Sequence, residues 1–265
     1  MTISWKSTFI IVFDLVIAAY LFMAFTSWHT PEREYPVCTK VVINIADENE
    51  NGFLNSAEVK ALLEHYKMYP LNRRTEDINT RQIEAQLVRM PFVNTAQCYI
   101  TQEGHVCITI TQRTPIVRVK SSRGEDYYVD DNGGVMPNSQ YTSDMIIVTG
   151  NVSKTYACRY ISLLAKNLMA DDMWRNQIEQ INLLPDNTIE LVPRVGDHIV
   201  NIGPLPEASN DVTRAERVKD FVAKQLHRLE LFYHHGLSHA GWNKYDYISL
   251  EYGNQVVCRR RENHN

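Results

Sequence analysis

Reactive-site vocabulary is missing from this chain. Its 265 residues contain no G-x-S-x-G, no H-E-x-x-H, no glycine-rich phosphate loop and no C-x-x-C pair. The common hydrolase elbow, zinc-protease helix, nucleotide cradle and zinc ribbon are therefore not signalled. Basic charge is also scarce: 27 Lys and Arg stand against 31 Asp and Glu, a formal net charge of −4. No broad positive field exists to hold a phosphate backbone, so a nucleic-acid partner is not expected. The five cysteines, Cys38, Cys98, Cys107, Cys158 and Cys258, are odd in number and widely spaced, which speaks against a disulfide framework. Cys98 and Cys107 could face each other across a hairpin; buried free thiols are the ordinary alternative.

Long apolar runs are limited to one. Thr8 to Trp28, TFIIVFDLVIAAYLFMAFTSW, carries a single charge, Asp14. Roughly 20 such residues make a helix long enough to cross a bilayer. The run exceeds a signal-peptide core and lacks a good small-residue cleavage site, so it reads as a signal anchor. Lys6 before it favours a cytoplasmic N-terminus with the bulk of the chain outside, and Trp5 and Trp28 suit interfacial positions. Asp14 either reaches headgroup water or contacts a partner helix in the membrane.

With 44% hydrophobic and 22% charged residues, the remainder suits one or two ordinary domains. Thr30 to Pro36 reads as a spacer and Val41 to Ile45 as a strand. Asp47 to Glu58, DENENGFLNSAE, matches the EF-hand loop letter by letter, but a strand rather than a helix precedes it. A polar turn and a helix N-cap at Asn55 or Ser56 is the better reading. Val59, Leu62, Leu63 and Tyr66 then recur at helical spacing, as do Ile83, Leu87 and Met90 after a cap at Asn79 or Thr80. Val93 to Ile100 and His105 to Gln112 alternate as strands around Glu103-Gly104.

The segment IEAQLVRMPFVNTAQCYITQEGHVCITITQRTPIVRV, Ile83 to Val119, resembles the end of the POTRA domain found in the bacterial FtsQ/DivIB division family: a helix into P-x-V, a hairpin, then R-x-P. Tyr128-Val129-Asp130, the turn Asp131 to Gly134 and Pro137 are similar to the opening of that family's β-domain. Asp130 and Asp131 could be taken for a metal or acid/base pair, but adjacent strand residues face opposite ways and turn chemistry explains them better. Further strands are predicted at Ile146 to Gly150, Ile178 to Leu183, Thr188 to Val192 and His198 to Ile202. One helix is predicted with a stripe of Tyr160, Leu163, Leu164 and Leu168, and a longer one over Val212 to Phe232. Gly236 is expected to end the longer helix, so His234, His235 and His239 with His227 are not expected to gather a metal.

Tyr245 to Tyr252, the pair Gly253-Asn254 and Gln255 to Arg260 read as a terminal hairpin with a two-residue loop. Its Y-I-S-L-E-Y-G-N-Q-V-V resembles the close of the family, although Glu251 stands where arginine is frequent. The expected fold class is α+β: a single transmembrane helix, a β-α-α-β-β POTRA domain and a mixed β-domain with an exposed C-terminal edge strand. Expected boundaries are a cytoplasmic tail 1–7, anchor 8–28, spacer 29–40, POTRA domain 41–114, β-domain 115–261 and tail 262–265.

Taken together, the resemblance implies a non-catalytic divisome scaffold in the plasma membrane at the septum, with no cofactor. Its implied partners are an FtsB-like coiled-coil protein and an FtsL-like protein. Tyr252, Gly253, Asn254, Gln255, Val256, Val257, Cys258 and Arg259 are the implied contact residues, because an edge strand offers unpaired backbone groups to a partner strand. Two other classes compete. One is a POTRA-bearing secretion or assembly component, and the other an envelope hydrolase whose carboxylates converge only in the fold.

Overall fold

A computed structural model describes residues 5–26, 36–46, 52–139 and 145–262. The first helix, α1, spans Trp5–Thr26, and its described side chains from Phe9 to Phe25 are exposed. Among the described residues no helix is long and apolar enough to cross a membrane; the side chains of residues 6–8 and 26 within α1 lie outside that set. Trp28 and residues 47–51 of the EF-hand-like stretch also lie outside the described residues.

The first folded unit is a three-stranded sheet ordered β1 (Val41–Ile45), β3 (Val106–Gln112), β2 (Val93–Ile100). β1 runs parallel to β3, and β2 pairs with it antiparallel. Helices α2 (Ser56–His65) and α3 (Thr80–Leu87) bury Val59, Leu63, Ile83 and Leu87 in one core with Val106, Ile108 and Ile110. Each such fully buried aliphatic side chain contributes about 1.5–3 kcal/mol by leaving water. Asn55 caps α2 by accepting from Glu58 N at 2.9 Å, and Asn79 caps α3 by accepting from Gln82 N at 3.1 Å. The expected β-α-α-β-β order is present. Tyr66, expected in the stripe, is half exposed, because α2 stops at His65 and Lys67 turns the chain away with φ 55°. Cys98 sits opposite Ile108 and Cys107 opposite Tyr99, which puts the two thiols on opposite sheet faces. All five cysteines are free.

A nine-stranded mixed sheet follows, with the order β12-β11-β10-β9-β8-β7-β4-β5-β6. Its strands are β4 (Pro115–Ser121), β5 (Asp126–Asp130), β6 (Val135–Pro137), β7 (Ile146–Gly150), β8 (Ile178–Leu183), β9 (Thr188–Pro193), β10 (Ile199–Pro204), β11 (Tyr245–Ser249) and β12 (Val257–Arg260). A helical segment runs through Lys154–Tyr156, a π-helical turn Ala157–Ile161 and α4 (Ser162–Met169), and a short helix α5 (Asp172–Gln177) precedes β8. The long helix α6 (Asp211–Phe232) precedes β11 and packs against α4. The π turn shifts the buried face: Ala157, Ile161, Leu164, Ala165 and Leu168 are fully buried, whereas Tyr160 and Leu163 of the expected stripe are only partly so.

Two expectations at the C-terminal end are corrected. Helix α6 does not stop at Gly236; it passes through a second π turn, Tyr233–Leu237, into Ser238–Ala240. The ring of Phe232 packs onto Gly236, and Gly241, with φ 92°, ends the helical run instead. The terminal hairpin lacks the two-residue Gly253-Asn254 loop. Ser249 pairs with Val257, so seven residues, Leu250 to Val256, connect β11 and β12.

Candidate partner-binding edge

Helix α6 positions this loop. Leu250 is fully buried and its N–H donates to Asn201 O at 2.7 Å, so the chain stays on β10 instead of turning back at once. Gln225, in the middle of the buried α6 face, donates from Nε2 to Ile202 O at 2.9 Å and to Leu250 O at 3.2 Å. One turn on, Arg228 donates from Nη1 to Leu250 O (2.6 Å) and Gln225 Oε1 (2.7 Å), and from Nη2 to Tyr252 O (2.7 Å) and Gln255 O (2.9 Å). A planar guanidinium can gather several carbonyls in fixed geometry, which a lysine could not. These bonds replace the ladder that the two-residue turn would have supplied.

Of the eight residues expected at the contact, Tyr252, Gly253, Asn254, Gln255 and Val256 lie on this loop. Val257, Cys258 and Arg259 lie on β12. Tyr252 and Val257 are the apolar members most open to solvent, 54% and 45% exposed. Val256 and Cys258 turn inward against the main core, and burial raises the Cys258 thiol pKa. The sheet ends at β12, with no further strand paired to it among the described residues.

The arginine run at the end of β12 is not simply solvated. Arg259 Nε donates to Asp246 Oδ1 at 2.8 Å and its guanidinium lies 5.2 Å from the Tyr247 ring. Arg261 Nη1 donates to Asp197 Oδ2 at 3.1 Å and Nη2 to Asp197 O. Behind Asp197, His198 is buried, shares a 2.8 Å hydrogen bond with Tyr233 Oη, and has its pKa lowered by desolvation and by Arg261. Arg228 and His198 escaped the sequence reading. The former shares a helix with the core position Gln225 but sits beside the buried stripe; the latter looks like any strand residue.

Asp130 performs turn work, accepting from Asn132 N at 3.1 Å and Gly134 N at 2.5 Å, while Asp131 accepts from Asn132 Nδ2 at 3.1 Å. No group of three His, Cys, Asp or Glu side chains poised for a metal occurs among the described residues.

Residues 36–111 match the POTRA-like domain model, and residues 114–259 match the model described as FtsQ/DivIB, C-terminal related. The chain belongs to the FtsQ/DivIB family. Membership implies a scaffold role in cell division, with other division proteins as partners, in a family of non-catalytic proteins. The chain is also similar to the major extracytoplasmic domain of the cell division protein DivIB from Geobacillus stearothermophilus, trans isomer: 14% identity, 44% of this chain, 95% of that chain and a TM-score of 0.28. None of the curated protein sequences matches.

Proposed function

We propose that this FtsQ/DivIB-family chain is a single-pass scaffold that docks FtsB-like and FtsL-like proteins on the edge formed by Tyr252 to Arg259. The carrying observation is that β12 terminates the nine-stranded sheet while Tyr252 and Val257 stand in solvent beside it. An extended partner segment would satisfy the outward N–H and C=O groups and lay alternate side chains on these two residues. The anchor is proposed from the apolar run Thr8 to Trp28 of the sequence, which carries the single charge Asp14.

Successive backbone N–H groups along a strand point to opposite sides. Val257→Pro and Cys258→Pro therefore divide the work: one removes a donor facing β11, the other a donor facing outward. The outward deletion is expected to abolish co-purification of FtsB-like protein while leaving the thermal midpoint close to the parent value. Full binding by both variants would place docking elsewhere. Alkaline carbonate extraction tests the anchor, and release of the full chain into the supernatant would exclude it.

A further inference from the structure

A cleft of about 430 Å³ opens between the β5–β6 turn, the helical segment Lys154–Met169 and the first turn of α6. Its walls are held by backbone. Gly133, with φ +76°, is pressed so close to the helical segment that a Cβ there would lie 2.6 Å from Cys158 O. The π turn Ala157–Ile161 carries Arg159 at the cleft, and Lys166 follows on the same lining. Such turns interrupt regular helix pairing and recur at functional sites.

The charges in this lining are unevenly matched. Asp211 is taken by Arg214, whose guanidinium bonds its carboxylate and holds the carboxyl below the ordinary range. Asp131 accepts from Asn132. Arg159 also bears electrostatically on the Asp211 carboxyl, but neither it nor Lys166, both exposed, makes a hydrogen bond or a close ion pair among the described residues. Arg214 is 4% exposed, lies 5.2 Å from the Tyr160 ring, and has a buried Nε–H without an acceptor in the fold.

We infer that this cleft binds a phosphate group, with Arg159 and Lys166 as direct ligands and Arg214 as the buried support. A tetrahedral phosphate offers oxygens in several directions and can engage two cations from one helical face together with a third donor. A planar carboxylate has only two oxygens, suited to one guanidinium fork. The same chemistry fits a soluble phosphate compound and the headgroup of an anionic lipid.

The test uses the full chain in neutral detergent at constant ionic strength, read by amide hydrogen exchange over residues 157–166. Inorganic phosphate is titrated in one arm; in the other, micelles are doped with phosphatidylglycerol or, as control, phosphatidylcholine. Protection by inorganic phosphate identifies a soluble source, and protection by phosphatidylglycerol alone identifies a lipid source. In either case Arg159→Gln combined with Lys166→Gln is expected to weaken binding about tenfold or more, the loss of charge-assisted bonds, and Arg159→Lys to restore part of it. Absence of protection of the parent chain in both arms, or a Gln double variant that binds like the parent at an unchanged thermal midpoint, overturns the assignment.

Discussion

Arg113 Nε donates to Asp130 Oδ2 at 2.7 Å, and the same guanidinium reaches Pro91 O at 2.9 Å and Val135 O at 3.1 Å. One side chain thus ties the end of the POTRA helix to the first turn of the β-domain. Beside it Phe53 and Phe92 meet Tyr128, Met136 and Met145 in a small apolar cluster, with Phe53 and Phe92 stacked at 5.4 Å. Arginine in the R-x-P motif is explained by this bridge: Nε holds the Asp130 carboxylate while Nη1 reaches both carbonyls, a division between two nitrogens that a lysine does not have.

Arg113→Ala leaves Asp130, whose side chain is only 4% exposed, without its cation. A loss of about 3 kcal/mol is expected from breaking a mostly buried pair. Urea unfolding measures it, and small-angle scattering should show looser coupling of the domains. Asp130→Asn, which keeps an acceptor toward Arg113, should cost less.

Gly133→Ala is expected to destabilise by roughly 1–3 kcal/mol, the range for a strained left-handed residue. A methyl group there would collide with Cys158 O as well. Thermal unfolding of the variant checks this, and Gly124→Ala, at a similar φ but with no atom nearby, should be milder.

Arg228→Ala removes four bonds to the Leu250 to Val256 loop and its neighbour Gln225. Faster amide exchange at residues 250–257 is expected. Under the proposed docking, affinity for the FtsB-like partner should fall about tenfold or more, since ordering the loop would then oppose binding. Equal affinity would separate loop order from docking.

His198 gives a pH dependence with a defined sign. Burial first, then Arg261, lowers its pKa below 6.5, so the folded chain binds its proton less readily than the unfolded chain. Stability is full above the unfolded value and falls as pH drops through 6.5 toward the folded value. The thermal midpoint should decrease between pH 7.5 and pH 5.5, and His198→Gln should flatten that part of the change.

Local patterns read well from sequence wherever neighbours along the chain decide the outcome. Asn55 and Asn79 cap helices because their side chains meet N–H groups three residues on, and β3 alternates because every second residue faces α2 and α3. The two π turns were not legible: Ala157–Ile161 and Tyr233–Leu237 are helical in composition, and only packing of their side chains against the sheet selects the wider turn. The C-terminal loop failed for a similar reason. Gly253-Asn254 is competent to form a two-residue turn, but Leu250 is drawn into the core and Arg228, from a different element, supplies the bonds that hold a longer connection.

By itself, then, the sequence determined the order of elements, the POTRA and β-domain succession and the family, since hydrophobic period, caps and turn residues act over a few positions. Tertiary structure alone decided that β12 ends a nine-stranded sheet among the described residues, that Arg113 joins the domains, and that Arg159 and Lys166 line one cleft with Arg214. These depend on contacts between residues tens of positions apart, and no local pattern along the chain encodes which distant carbonyl or carboxylate a guanidinium will meet.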